Sequence, residues 1–112
     1  MLSQEGYRVK VTNLHAGKGL AVHPDSPYIR AAVESLEAVY GILPVFMREG
    51  GSIPIAALFD EVLKAPIVLM GFGLPDDTVH APNEKFTLDQ FQSGMKTVAD
   101  FLGRVGDLQA DL

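Results

Sequence analysis

Apolar residues recur along this chain in three rhythms, and each predicts a different element. From Tyr7 they alternate, with Tyr7, Val9 and Val11 on one side and Arg8, Lys10 and Thr12 on the other. That period of two is the mark of a half-buried strand. Between Tyr28 and Tyr40 they return every three or four residues, at Tyr28, Ile29, Ala32, Val33, Leu36, Val39 and Tyr40, which lays a stripe along a helix. Ser26 stands where an N-cap belongs, Pro27 suits the first helical position, and Gly41 is a natural stop. The third rhythm is continuous: Pro44-Val45-Phe46-Met47-Arg48 and Ile67-Val68-Leu69-Met70 are short runs, and the second has the pattern of a strand buried on both faces.

Between those runs, Ala56, Ala57, Leu58, Val62 and Leu63 predict a second helix capped by Ser52, and Lys64-Ala65-Pro66 turns out of it. Thr87-Leu88-Asp89-Gln90 has the form of a capping box. It opens a third helix of roughly 18 residues, whose stripe is Leu88, Phe91, Met95, Val98, Leu102 and Val105. The first six residues and the tail from Gly106 are polar and expected to be loose.

Helix alternating with strand predicts an α/β fold, a small parallel-sheet βα layer with right-handed crossovers over residues 24–106. Residues 1–23 hold a strand of another kind followed by a linker, and residues 107–112 form a tail. Two central strands leave sheet edges to be covered. On this pattern the chain is expected to be part of something larger.

Composition narrows the function. The chain has 112 residues, 12.1 kDa and 47% hydrophobic content, enough for one small domain with a core. A net charge of −5, with nine basic residues dispersed, argues against a nucleic-acid surface. No cysteine means neither disulfides nor thiolate metal sites. No apolar stretch approaches the roughly 20 residues that cross a bilayer, and no targeting segment is visible; the default compartment is the cytoplasm.

Candidate chemistry concentrates at two strand-to-helix turns. Gly71 to Glu84 reads GFGLPDDTVHAPNE and places His80 after Asp76 and Asp77 and before Asn83 and Glu84. An imidazole beside carboxylates composes a zinc site or an acid/base pair, and equally a solvated surface loop. Arg48-Glu49-Gly50-Gly51-Ser52 lies at the other turn. There glycines let backbone approach a ligand and free amides at a helix start offer an anion site, although the same residues make an ordinary capped turn. His15 and His23 have no such setting and read as surface or packing residues.

Taken in order, Arg48-Glu49-Gly50-Gly51-Ser52-Ile53-Pro54, a helix, Val68-Leu69-Met70-Gly71, Asp76-Asp77, His80 and Asn83-Glu84-Lys85 resemble the C-terminal part of the aminoacylase/carnosinase family of dinuclear zinc metallopeptidases, with the dipeptidase branch nearest. The resemblance runs from about Ser26 to Val105, and the Tyr7–Leu14 strand is similar to the last strand of that family's lid or dimerisation domain. It implies that His80 is a zinc ligand, that Gly51 and Ser52 receive the substrate's carboxylate, and that Glu49 is an acid of the same wall. It further implies two zinc ions in the intact enzyme and a small peptide or acyl-amino acid as substrate. The family's other ligands and its general base lie ahead of the lid domain and have no counterpart here. The chain is therefore expected to be an inactive segment with weak or no zinc affinity, whose partner is the missing N-terminal part of the catalytic domain, with a homo-oligomer possible. Two alternatives differ in class: a non-catalytic interaction or dimerisation module derived from that fold, and an anion-binding domain using only the Gly51-Ser52 helix start.

Overall fold

Proline inside the start and glycine past the end bound the first helix, α1, at Pro27–Tyr40. Ser26 holds the N-cap position in extended conformation without using its side chain. Gly41 at φ 72° returns its N–H to the Glu37 carbonyl, 2.8 Å away, a left-handed stop that suits glycine. These bounds are the ones the sequence predicts. The computed structural model describes residues 9–14, 18–48 and 53–110.

The second helix, α2, spans Pro54–Leu63, again with proline at its first position. Its N-cap is Ile53, so the cap expected from Ser52 is one residue off. It stops on Lys64 in the left-handed conformation, whose N–H reaches the Asp60 carbonyl at 3.2 Å. The third helix, α3, spans Leu88–Ala110 and is 23 residues long, so it continues through most of the tail expected from Gly106 to be loose. The capping box is real. The Thr87 N–H donates to Gln90 Oε1 at 2.7 Å and the Gln90 N–H donates to Thr87 Oγ1 at 3.1 Å.

Helix α1 packs on α3, and among the described residues α2 packs on neither. The face α3 buries is not the predicted apolar stripe: Gln90, Gly94 and Thr97 are buried, whereas Leu88 is 80% exposed and Phe91, Met95, Val98 and Leu102 are also exposed. Buried small residues stand on both helices, Ala31, Ala32 and Ser35 on α1 and Thr97 on α3, and small residues let two helices approach closely. Thr97, fully buried, satisfies its hydroxyl on the Ser93 carbonyl at 2.8 Å. Arg104 of α3 closes the contact by donating to Asp100 on its own helix (2.6 Å) and to Glu34 of α1 (2.5 Å). Ser35 Oγ lies close enough to Asp100 to favour its carboxylate, yet completes no well-formed hydrogen bond.

The α/β fold expected from the sequence, a small parallel sheet, is absent: among the described residues there are three helices and no strand. A strand exists only where a neighbour's N–H and C=O groups complete its ladder, however apolar its own residues are. Residues 44–48 and 67–70 have no such neighbour among the described residues. Val45 is 80% exposed, and Phe46, Met47 and Leu69 are exposed as well. The N-terminal strand fails in the same way where it is described, with Val9, Val11 and Leu14 exposed; Tyr7 and Arg8 lie outside the described residues.

The consequence is an open molecule. Its accessible surface is 9701 Å², where a compact chain of this mass exposes about 6,000 Å². Its radius of gyration is 18.8 Å, where about 13 Å is usual for this length.

Candidate functional site

The apolar run 67–70 leads through Gly71 and Phe72 into a loop that returns to α3. Phe72 settles on α3, with its ring 3.5 Å from the position a Cβ on Gly94 would take. Its carbonyl accepts a 3.1 Å hydrogen bond from Gln90 Nε2. Beyond it, the Asp77 N–H donates to the Leu74 carbonyl (3.1 Å) and the Lys85 N–H donates to the Asp77 carbonyl (3.1 Å). That second bond closes residues 77–85 into a compact loop with His80 near its tip, of the kind that often carries function.

Adjacent aspartates at the neck do different work. Asp76 is exposed and pairs with Lys85. The hydrogen bond from Lys85 holds its carboxyl below the usual aspartate range, helped by the attraction of the ammonium, and the pair raises Lys85 in turn. Asp77 is 2% exposed. Its Oδ2 accepts from the Leu74 N–H at 2.6 Å and from Gln90 Nε2 at 2.8 Å. Its Oδ1 is buried with no hydrogen-bond partner among the described residues.

Inside the loop the backbone is strained. Thr78, His80 and Asn83 have φ of 51°, 60° and 63°, left-handed values that non-glycine residues rarely adopt and that a β-branched threonine resists most. Local bonds hold this path: Ala81 N–H to the Thr78 carbonyl (3.0 Å), Glu84 N–H to the Ala81 carbonyl (3.2 Å) and Thr78 Oγ1 to the Asn83 carbonyl (3.1 Å). His80 ends up exposed on a braced loop.

The structure thus places His80 where it can meet a ligand from outside. Glu49, Gly51 and Ser52, assigned to the substrate's carboxylate, lie outside the described residues. Among the described residues no cluster of three or more His, Asp, Glu or Cys side chains could hold a metal ion. A catalytic zinc takes about three protein ligands and an open position, so His80 fits as one donor of a set and not as a site by itself. His23 pairs with Asp25 on an exposed surface at 3.5 Å, away from this loop in sequence and setting. His15 is not among the described residues. A shallow groove of about 400 Å³ beside Arg30, Glu34, Arg104 and Asp107 lies near the far end of α3, and its arginine Arg104 is already held by two carboxylates.

What escapes a reading of the sequence alone is the bond between two residues at the site, Asp77 and Gln90. For Gln90 a signal was present: glutamine in a capping box, unlike glutamate, keeps an NH₂ free to donate elsewhere. For Asp77 none was, because nothing in Asp76-Asp77 says which carboxylate goes inside.

With that geometry in place, comparison with known proteins assigns the class. Residues 6–104 match the model of Peptidase family M20/M25/M40, and the chain belongs to that family. The dipeptidase-type metallopeptidase resemblance drawn from its motifs is borne out. The chain is 37% identical over 95 residues to the Cys-Gly metallodipeptidase dug1 of Schizosaccharomyces pombe, covering 85% of this chain and 20% of the relative. It is 34% identical over 95 residues to the human Beta-Ala-His dipeptidase, covering 80% of this chain and 18% of that protein. The solved structure of the di-peptidase Dug1p from Saccharomyces cerevisiae matches with a TM-score of 0.69 and 40% identity, over 73% of this chain and 17% of that one. The chain thus spans about a fifth of the length of these relatives.

Proposed function

We propose that this chain is the C-terminal segment of a zinc-dependent dipeptidase, cleaving the amide bond of small peptides or acyl-amino acids, and that it contributes one metal ligand and one wall of the substrate pocket. The observation that carries this reading is the braced loop that leaves His80 exposed, in a chain of the M20 family whose relatives include metallodipeptidases. Bound zinc would supply Lewis acidity and a water nucleophile at neutral pH. His80 would donate a ring nitrogen to one ion, and the loop's bonds would keep that nitrogen in place. Glu49, Gly51 and Ser52 would shape the pocket for the substrate's terminal carboxylate, where amides at the start of α2 favour an anion.

The remaining ligands and the general base would come from the rest of the catalytic domain, which is the partner this reading requires. Exposed Phe46, Met47, Phe91, Met95 and Leu102 support such a partner, since apolar side chains gathered on a surface ask for a cover. Alone, the chain would not hydrolyse dipeptides.

The test is reconstitution. The 112-residue chain is mixed with a Dug1-type dipeptidase lacking its own matching segment, and hydrolysis of a dipeptide is followed with and without zinc and chelator. The expected result is zinc-dependent activity from the mixture, none from either part, and none with His80→Ala. If the two parts associate and the His80→Ala mixture is as active as the native one, the ligand assignment fails.

A further inference from the structure

The chemistry proposed for His80 needs a strained loop to be held still, and the structure shows what holds it. We propose that Asp77 is the positioning residue of the His80 loop, pinning its neck to the start of α3 through Gln90. This inference rests on the reading of His80 as a metal ligand, but it concerns this chain's own residues and can be tested without the metal.

Three observations converge on Asp77. First, it meets the neck with both main chain and side chain: its carbonyl takes the Lys85 N–H that closes the loop (3.1 Å), and its Oδ2 takes the Leu74 N–H (2.6 Å) just before the neck. Second, the same Oδ2 accepts from Gln90 Nε2 (2.8 Å). Gln90 is itself fixed, because its Oε1 accepts the Thr87 N–H in the capping box and its NH₂ also reaches the Phe72 carbonyl. Position is thereby transmitted from the rigid first turn of α3 to a loop that has no regular structure of its own. Third, three left-handed non-glycine residues, Thr78, His80 and Asn83, lie inside the closed segment. Such conformations persist only where surrounding structure over-determines them, and the buried carboxylate ties the neck of the segment to the first turn of α3.

Asp77 touches no substrate in this scheme and acts only through His80. Burying a carboxylate whose Oδ1 has no partner among the described residues is costly. Leaving it in solvent, as its neighbour Asp76 is left, would be the cheaper arrangement if only chain reversal were needed.

The test uses the whole chain and three variants, Asp77→Ala, Asp77→Asn and Thr97→Ala. NMR coupling constants and shifts at Thr78, His80 and Asn83 report the left-handed backbone, and thermal melts report overall stability. Asp77→Ala is expected to abolish the left-handed signature at all three residues while the α1 and α3 signals hold. Asp77→Asn retains one acceptor oxygen for Leu74 and Gln90 and is expected to restore the signature. Thr97→Ala loosens the α1–α3 contact and is expected to leave the loop signals in place, which separates positioning from general destabilisation. The proposal is overturned if the signature survives Asp77→Ala, if Thr97→Ala abolishes it equally, or if Asp77→Asn fails to restore it. The underlying reading is tested separately, by reconstitution of the native chain and of its His80→Ala variant with a Dug1-type dipeptidase lacking the matching segment. Zinc-dependent hydrolysis undiminished by His80→Ala, beside a loop that still depends on Asp77, would remove the metal assignment and leave the positioning role standing.

Discussion

Gln90 uses both polar atoms of its side-chain amide: Oε1 caps the helix, and Nε2 serves both the Phe72 carbonyl and Asp77. Two substitutions should therefore differ in kind. Gln90→Ala removes the cap and strands the Asp77 carboxylate, with an expected loss of about 1–3 kcal/mol in a denaturant melt. Gln90→Glu keeps the cap acceptor but sets a second carboxylate against Asp77 and against a carbonyl, and should cost more than alanine near neutral pH. A glutamate variant as stable as the native chain, beside a weakened alanine variant, would mean that capping, and not the link to Asp77, is what Gln90 supplies. The capping box itself was legible in Thr87-Leu88-Asp89-Gln90 because a local spacing makes a local bond. Asp77 was not, because burial depends on residues brought in from Gln90 and Leu74. Adjacent aspartates in a turn diverge, and composition cannot say which goes inside.

At the scale of elements, the three helices were legible and their partners were not. Proline, glycine and the three-and-four spacing gave α1 its bounds. The same spacing marked Leu88, Phe91, Met95, Val98 and Leu102 as one face of α3, but periodicity tells which residues share a face and not which neighbour covers it. The apolar runs at 44–48 and 67–70 read as sheet and are not, for the same reason. Helices complete their own backbone bonds, whereas strands depend on a neighbour. One consequence concerns Gly103, which lies inside α3 with open space where a Cβ would go. Gly103→Ala should stabilise the helix by about 0.5–1 kcal/mol, read as a rise in melting temperature. A second concerns Arg104. Its hydrogen bond to Asp100 holds that carboxyl below the ordinary value of about 3.9. The folded carboxyl is the more acidic one, so its contribution is complete above that value and is lost as pH falls below it. Melts should therefore hold from neutral pH down to about 4 and weaken as pH falls further, and Arg104→Ala should remove the part of that slope that belongs to the Arg104–Asp100 pair. Asp76, lowered by Lys85, adds a second slope of the same sign at the loop. An unchanged slope in the Arg104 variant would assign the acid sensitivity to Asp76 and Lys85 instead.

For the whole molecule, the governing fact is that apolar side chains on α2, α3 and residues 42–47 have no cover among the described residues. The proposed partner is the rest of an M20 catalytic domain, and exposed positions give a way to test it that does not touch the His80 loop. Met95→Lys and Leu102→Lys place charges on the open face of α3, away from Gly94 and Thr97, which lie on its buried face. In the isolated chain each should change stability by less than about 0.5 kcal/mol, as surface substitutions do. In reconstitution with the remainder of a Dug1-type enzyme, each would bury a charge in an apolar contact and should weaken association and dipeptide hydrolysis together. The pairing of these two measurements is what discriminates. If the variants lose stability alone, α3 is already packed on that face. If they restore activity as well as the native chain does, the partner docks elsewhere and α3 stays open to solvent in the complete enzyme. Loss of association with stability intact would make the stripe on α3 the surface through which this segment joins its proposed partner.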